Sequence, residues 1–206
     1  MAINDNDIRV RRTKKLLRHG VAELGKIKSV HKITVKELTD LVEINRGTFY
    51  LHYKDVYDLV DSIENELCEE FDQKVLDFTP DDILHRPVEV LETLFEYFRI
   101  NKDIFTVLSG ENGDARFVYR FGEMTSVKLL ALFKSIFPNM SMEKYDFAYN
   151  FGRFGLVGIL HCWATEYPHL SSKQIAEKAL TLTLSGLWGI LGDDGKEVLI
   201  NAHNSR

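Results

Sequence analysis

Cysteine is scarce in this chain of 206 residues: there are two, Cys68 and Cys162, far apart, with no CxxC or Cys/His ligand spacing beside either. That excludes a disulfide framework and a cysteine zinc site, and it fits a reducing compartment. Strict alternation of polar and apolar residues between turn signals is missing, which argues against strands. Internal repeats and low-complexity tracts are missing as well, so disorder and collagen-like repetition are excluded. The opening MAINDNDIRVRR lacks the apolar run of a secretory signal, and a cytoplasmic protein is expected.

Catalytic signatures are equally sparse. No Rossmann glycine pattern follows a strand, and Gly192-Asp-Asp-Gly-Lys lacks the Walker spacing. His161, Cys162 and His169 do not form a zinc spacing. Glu69-Glu70 reads as a solvated acidic pair. Cys162 cannot use His161 as its base, because helical neighbours point about 100° apart. No enzyme, cofactor or metal is therefore expected.

What is present is 45% hydrophobic and 28% charged, the composition of a compact protein of one or two domains. The net charge of −5 hides an asymmetry. Residues 1–56 carry twelve Lys and Arg against seven Asp and Glu, while residues 57–206 carry fourteen against twenty-four. Of twenty-three aromatics only Phe49, Tyr50 and Tyr53 lie in the basic part. A small electropositive head on an acidic, aromatic-rich body points to polyanion binding at one end and a core or ligand cavity at the other.

Apolar residues recur at three and four positions nearly throughout, and about nine helices are predicted. The first, roughly Asp7 to Gly25, turns Leu17, Val21 and Leu24 inward and Arg11, Arg12, Lys15 and Arg18 mostly outward. Thr34 and Glu37 form a capping box for a short second helix ending near Val42. Asn45 caps a third that runs through Arg46-Gly-Thr-Phe-Tyr-Leu-His, and Asp55-Val-Tyr-Asp58 opens a long fourth. Phe78-Thr-Pro-Asp-Asp reads as a linker-like break. Further helices are expected from Pro87, Asp103, Asp114, Ser141 and Ser171, the last ending near Leu191.

The segment from Ile33 to Asp55 has the logic of a helix-turn-helix. Val35, Leu38, Val42, Ile44 and Phe49 can form the shared core, which leaves Asn45, Arg46, Thr48, Tyr50 and His52 facing outward. These are side chains of the kind that meet phosphates and base edges in a major groove. Gly47 permits close backbone approach, and Lys54 supplies a point charge for phosphate.

Ile33-Thr-Val-Lys-Glu-Leu, Asn45-Arg-Gly-Thr-Phe-Tyr-Leu-His-Tyr-Lys-Asp and Tyr57-Asp-Leu resemble the DNA-binding domain of tetracycline-repressor-type (TetR-family) transcriptional regulators over roughly residues 9 to 65. The resemblance implies an all-α protein: a three-helix head, here 1–56, and a helical ligand-binding and dimerisation domain, here 57–206. It implies that Thr34 and Lys36 meet the DNA backbone, that Asn45, Arg46, Gly47, Thr48, Tyr50 and His52 lie in or against the groove, and that Lys54 anchors the fourth helix. Two positions depart from the pattern. Glu43 stands where the family often has Gly, so a non-glycine must accept the turn's geometry. Val56 replaces a frequent lysine. Asn101-Lys-Asp-Ile-Phe, Ser109-Gly-Glu-Asn-Gly-Asp and Phe154-Gly-Leu-Val-Gly-Ile-Leu-His-Cys-Trp resemble the C-terminal domain of regulators of dihydroxyacetone kinase operons, a subgroup that includes a co-activator as well as repressors.

In the body, Tyr145 to Ala164 is apolar nearly all round, but Asp146, Asn150, Arg153 and His161 interrupt it, which argues against a membrane span. A helix of this kind must be buried on opposite sides, one by its own domain and the other by a partner. Gly152, Gly155 and Gly158, and then Gly186, Gly189 and Gly192, recur every three residues. Each costs about 1 kcal/mol relative to Ala inside a helix, so close helix approach across a homodimer axis is expected. Phe95, Phe98, Phe105, Phe117, Phe121, Phe151, Phe154 and Trp163, with Arg153 or His161 as a polar handle, are candidates to line an effector pocket. The expected protein is a homodimeric repressor released from a palindromic double-stranded operator by a small molecule. The alternative is a co-activator or adaptor of the same fold, using Ser109 to Asp114 and the acidic body as its partner surface.

Overall fold

The computed structural model describes residues 8–75, 77–191 and 196–197. Among these it is all-helical, with ten α-helices and one 3-10 turn. They are α1 (Ile8–Gly25), the 3-10 turn Val30–Lys32, α2 (Val35–Leu41), α3 (Arg46–Tyr50), α4 (Val56–Val75), α5 (Pro80–His85), α6 (Pro87–Ile100), α7 (Lys102–Ser109), α8 (Ala115–Ile136), α9 (Met142–Thr165) and α10 (Ser172–Leu187). The helix beyond the expected nine is α5. Its segment carries its own capping box, in which the Thr79 hydroxyl accepts from the Asp82 N–H and Asp82 accepts from the Thr79 N–H, with Pro80 in the first turn. The proline that looked like a break is a helix start.

By packing, the chain divides into two units: one holds the chain up to Glu69 together with Asn101–Gly122, the other Glu70–Ile100 and the chain from Glu123 onward. The unit that holds α1 to α3 extends past the boundary expected at residue 56. It takes in most of α4, all of α7 and the start of α8, because three short helices cannot close a core alone. α7 packs on α1, where a Cβ on Gly25 would come within 2.2 Å of Val107 Cγ1. Arg18 reaches across from α1 to hydrogen-bond the Asn101 side chain.

In the second unit α6 and α9 both pack on α10. Phe95, Trp163, Ile175, Ala176 and Ala179 form one core, and the Trp163 indole donates to the Leu170 carbonyl at 3.0 Å. Ile136, Phe137, Tyr145, Ala148, Leu187 and Leu191 form another. α9 buries Tyr145, Ala148 and Trp163 but leaves Phe147 65%, Phe154 61% and Val157 58% exposed. Leu182 and Trp188, from α10 and its C-cap, are also exposed. No described helix is long and apolar enough to cross a membrane.

Candidate nucleic-acid interface

The head is built on Leu17, Val21, Leu38, Val42 and Phe49, all buried; Leu24, Val35 and Ile44 sit half-buried at its margin. Gly20 allows the tight approach of α1 to α2, since a Cβ there would fall 2.5 Å from Leu38 Cδ1 and 2.8 Å from Val42 Cγ1. That glycine was a legible signal for the helix pairing and was not singled out from the sequence.

α2 opens on the predicted box. The Glu37 N–H donates to the Thr34 hydroxyl at 3.2 Å, and the Thr34 N–H donates to Glu37 at 3.0 Å. Lys28 Nζ donates to Glu37 Oε1 at 2.5 Å, and this bond, with those from the Thr34 hydroxyl and N–H, lowers the Glu37 carboxyl to about 2. The turn to α3 passes through Glu43 at φ 55°, the one non-glycine residue with positive φ among those described. A side chain in that region costs about 1–2 kcal/mol. Asn45 then caps α3, its Oδ1 accepting from the Gly47 N–H at 2.7 Å. Gly47 carries more than groove clearance: a Cβ there would lie 3.2 Å from the same Oδ1 and crowd the cap.

With Phe49 fully buried beneath it, α3 presents its remaining residues outward. Asn45, Arg46, Gly47 and Tyr50 are exposed, Thr48 and His52 are half-buried, and Lys54 is exposed just beyond. Thr34 and Lys36 are exposed at the start of α2. Lys36, Arg46 and Lys54 have no acidic partner among the described residues. The Lys54 N–H donates to Asp58 Oδ2 and the Asp58 N–H to Asp55 Oδ1, each at 2.9 Å, which pins the start of α4. Val56 is 5% exposed and belongs to the core, so the position that often holds a lysine has no access to phosphate. The arrangement is a rigid polar face with free cations on either side, suited to a duplex groove flanked by phosphates.

Residues 86–185 match a family model for the C-terminal region of transcriptional regulators of the TetR type. The chain's C-terminal region is that of a TetR-type transcriptional regulator. Its fold is shared with a TetR regulator from Streptococcus agalactiae, at 20% identity over 85% of this chain and 95% of that one, TM-score 0.55. It is shared with the dihydroxyacetone kinase operon activator DhaS, at 18% identity over 85% and 96%, TM-score 0.52. NalD, the secondary repressor of the MexAB-OprM multidrug efflux pump in Pseudomonas aeruginosa, is similar at 15% identity over 85% and 96%, TM-score 0.57. No curated protein matches the chain by sequence.

The residues named for an effector pocket are divided between the two units. Phe105, Phe117 and Phe121 form a cluster with centroids 5.2–5.8 Å apart between α7 and α8. In the other unit Phe95 meets Trp163 edge to face, and Phe98 packs against Phe71. Phe151, Phe154 and His161 are exposed on α9, and the Arg153 guanidinium lies over the Phe154 ring at 4.6 Å. Helical spacing marked all of α9 as apolar without saying which side faces its own unit.

The glycines separate in the same way. A Cβ on Gly186 would strike the Phe151 ring at 2.4 Å, so this glycine admits a neighbour within the subunit. A Cβ on Gly152, Gly155, Gly158 or Gly189 would meet nothing within 4 Å among the described residues. Gly192 lies outside the described residues.

Proposed function

We propose that the chain is a homodimeric repressor that reads a pseudo-palindromic operator with α3 and is released by a small molecule. The carrying observation is the exposed face of Arg46, Tyr50 and Lys54 held over fully buried Phe49, with neither cation paired to an acidic residue among those described. One such helix contacts half a site. Two, about 34–36 Å apart, meet successive major-groove faces.

The dimer reading rests on α9 and α10. Packing within the chain accounts for Gly186 but leaves Gly152, Gly155, Gly158 and Gly189 open beside exposed Phe147, Phe154 and Val157. A second copy supplies what would cover that face, as a four-helix interface. Effector response rests on the Phe105–Phe117–Phe121 cluster: a small apolar molecule inserting there has to part α7 from the start of α8, both in the same compact unit as α3. The co-activator reading loses support because the inner part of its partner surface, Asn112 and Asp114, is engaged by the head. The site of action is the cytoplasm, with the DNA.

Fluorescence anisotropy with duplex from the chain's own upstream region, at rising salt, tests this reading. A sequence-preferring complex of two chains per site that weakens steeply with salt is expected. Equal affinity for scrambled duplex at every salt concentration would contradict it.

A further inference from the structure

The turn from Gly110 to Asp114, between α7 and α8, looks from its sequence like a free polar loop. In the structure it is a close-fitting one. The Gly113 N–H donates to the Gly110 carbonyl at 3.0 Å and the Asp114 N–H to the Leu108 carbonyl at 3.1 Å. A Cβ on Gly113 would fall 2.0 Å from that Leu108 oxygen, so only glycine closes the turn. Asp114 is 7% exposed. Its Oδ1 accepts from the Arg116 N–H at 2.8 Å, capping α8, and its Oδ2 accepts from Arg116 Nη2 at 2.7 Å.

The outer edge of this turn grips the link between α1 and α2. The Val30 N–H donates to the Asn112 carbonyl at 2.9 Å, and Val30 itself is fully buried. His31 Nε2 lies 3.4 Å from Asp114 Oδ2, while its Nδ1 is buried with no hydrogen-bond partner among the described residues. The imidazole stacks on Tyr57 of α4 at 5.4 Å and 18°, and the Tyr57 hydroxyl donates to the His31 carbonyl at 3.2 Å. The 3-10 turn is thus held from both sides, by the α7–α8 turn and by α4. Three residues further on is Thr34, the cap of α2, and then Lys36.

We propose that the Gly110–Asp114 turn is a clasp that sets where α2 begins, making Asp114, His31 and Gly113 positioning residues for the phosphate contacts of Thr34 and Lys36. This deepens the DNA-reading proposal above and rests on it for its effect on affinity. The physical reason is leverage. A backbone bond and an imidazole–carboxylate contact fix a link of a few residues, and a shift of about 1 Å there carries the N-terminus of α2 out of hydrogen-bond range of a phosphate oxygen.

The test uses the full chain with two clasp variants. Gly113→Ala prevents the turn from closing. Asp114→Asn keeps the cap on α8 but removes the charge facing His31. Glu111→Ala, on the exposed side of the same turn, is the control. With upstream duplex, Gly113→Ala is expected to bind at least tenfold more weakly and Asp114→Asn at least threefold. The slope of log affinity against log salt should become shallower by about one to two, since phosphate contacts are lost. Simple loss of folded protein lowers the active fraction without changing that slope. Without DNA, amide exchange over residues 30–37 should accelerate in both variants and stay unchanged in α10. Should Gly113→Ala fail to fold, Asp114→Asn decides alone. Wild-type slope, or unchanged exchange over 30–37, overturns the clasp. A wild-type chain with no sequence preference, alongside faster exchange in the variants, would instead overturn the DNA-reading proposal and leave the clasp standing.

Discussion

Replacing Glu64 by Gln should make the protein more stable at pH 8 and leave it nearly unchanged at pH 4. Glu64 lies on α4 and is 3% exposed. Its Oε2 accepts from Arg120 Nη2 at 3.1 Å, whereas Oε1 is buried without a hydrogen-bond partner among the described residues. Burial raises the carboxyl to about 7; Arg120 opposes the shift, and Asp114 and Asp61 reinforce it. In the unfolded chain the group titrates near the ordinary glutamate value of 4.5. Between those values the folded state holds a proton that the unfolded state has lost, so stability is fully present below pH 4.5 and falls as pH rises towards 7. A shift of that size corresponds to an upper bound on the order of 3 kcal/mol. Gln does not titrate, and half-exposed Arg120 stays solvated when its partner is neutral. At about 2–4 °C per kcal/mol for a chain of this length, the variant should melt several degrees higher at pH 8, with the gap closing towards pH 4. Scanning calorimetry from pH 4 to 8 on both proteins measures the gap. A difference in melting temperature that does not vary with pH would refute the reasoning.

Other substitutions probe the remaining parts. Glu43→Gly relieves a left-handed residue but loosens the unfolded chain, for a net gain of about 0.5–1 kcal/mol by denaturant titration; a loss of stability would show that the Glu43 side chain holds the turn. Tyr50→Ala and Lys54→Ala should weaken operator binding tenfold or more while sedimentation still shows the dimer, and full affinity in either would misplace the contact face. Phe154→Glu puts a charge on the exposed apolar side of α9 and should shift the chain to monomer at micromolar concentration; an unchanged dimer would move the interface elsewhere.

Much of the head was legible because its signals are local. The Thr34–Glu37 box and the Asn45 cap follow from residue types at short spacing, the unusual backbone at Glu43 from the resemblance, and the structure shows all three. The clasp was not legible. Gly110-Glu-Asn-Gly carries the composition of any solvated turn, and its contact with Val30 joins segments some eighty residues apart. Periodicity also failed on α9, where apolar residues on every side marked the helix for burial but could not assign Phe151 or Phe154 to the interior or the outer surface. α5 was missed because Thr79-Pro80 can end one helix or start another, and only the bond from the Asp82 N–H to Thr79 decides between them.

Selection from a random duplex pool, using the intact chain and sequencing the bound fraction, tests the central claim most directly. The account predicts enrichment of an inverted repeat whose half-site centres lie about one helical turn, 10–10.5 base pairs, or a whole multiple of it apart, with enrichment lost in Tyr50→Ala. A pool that stays random after repeated rounds, or that enriches equally with the Tyr50 variant, would contradict it.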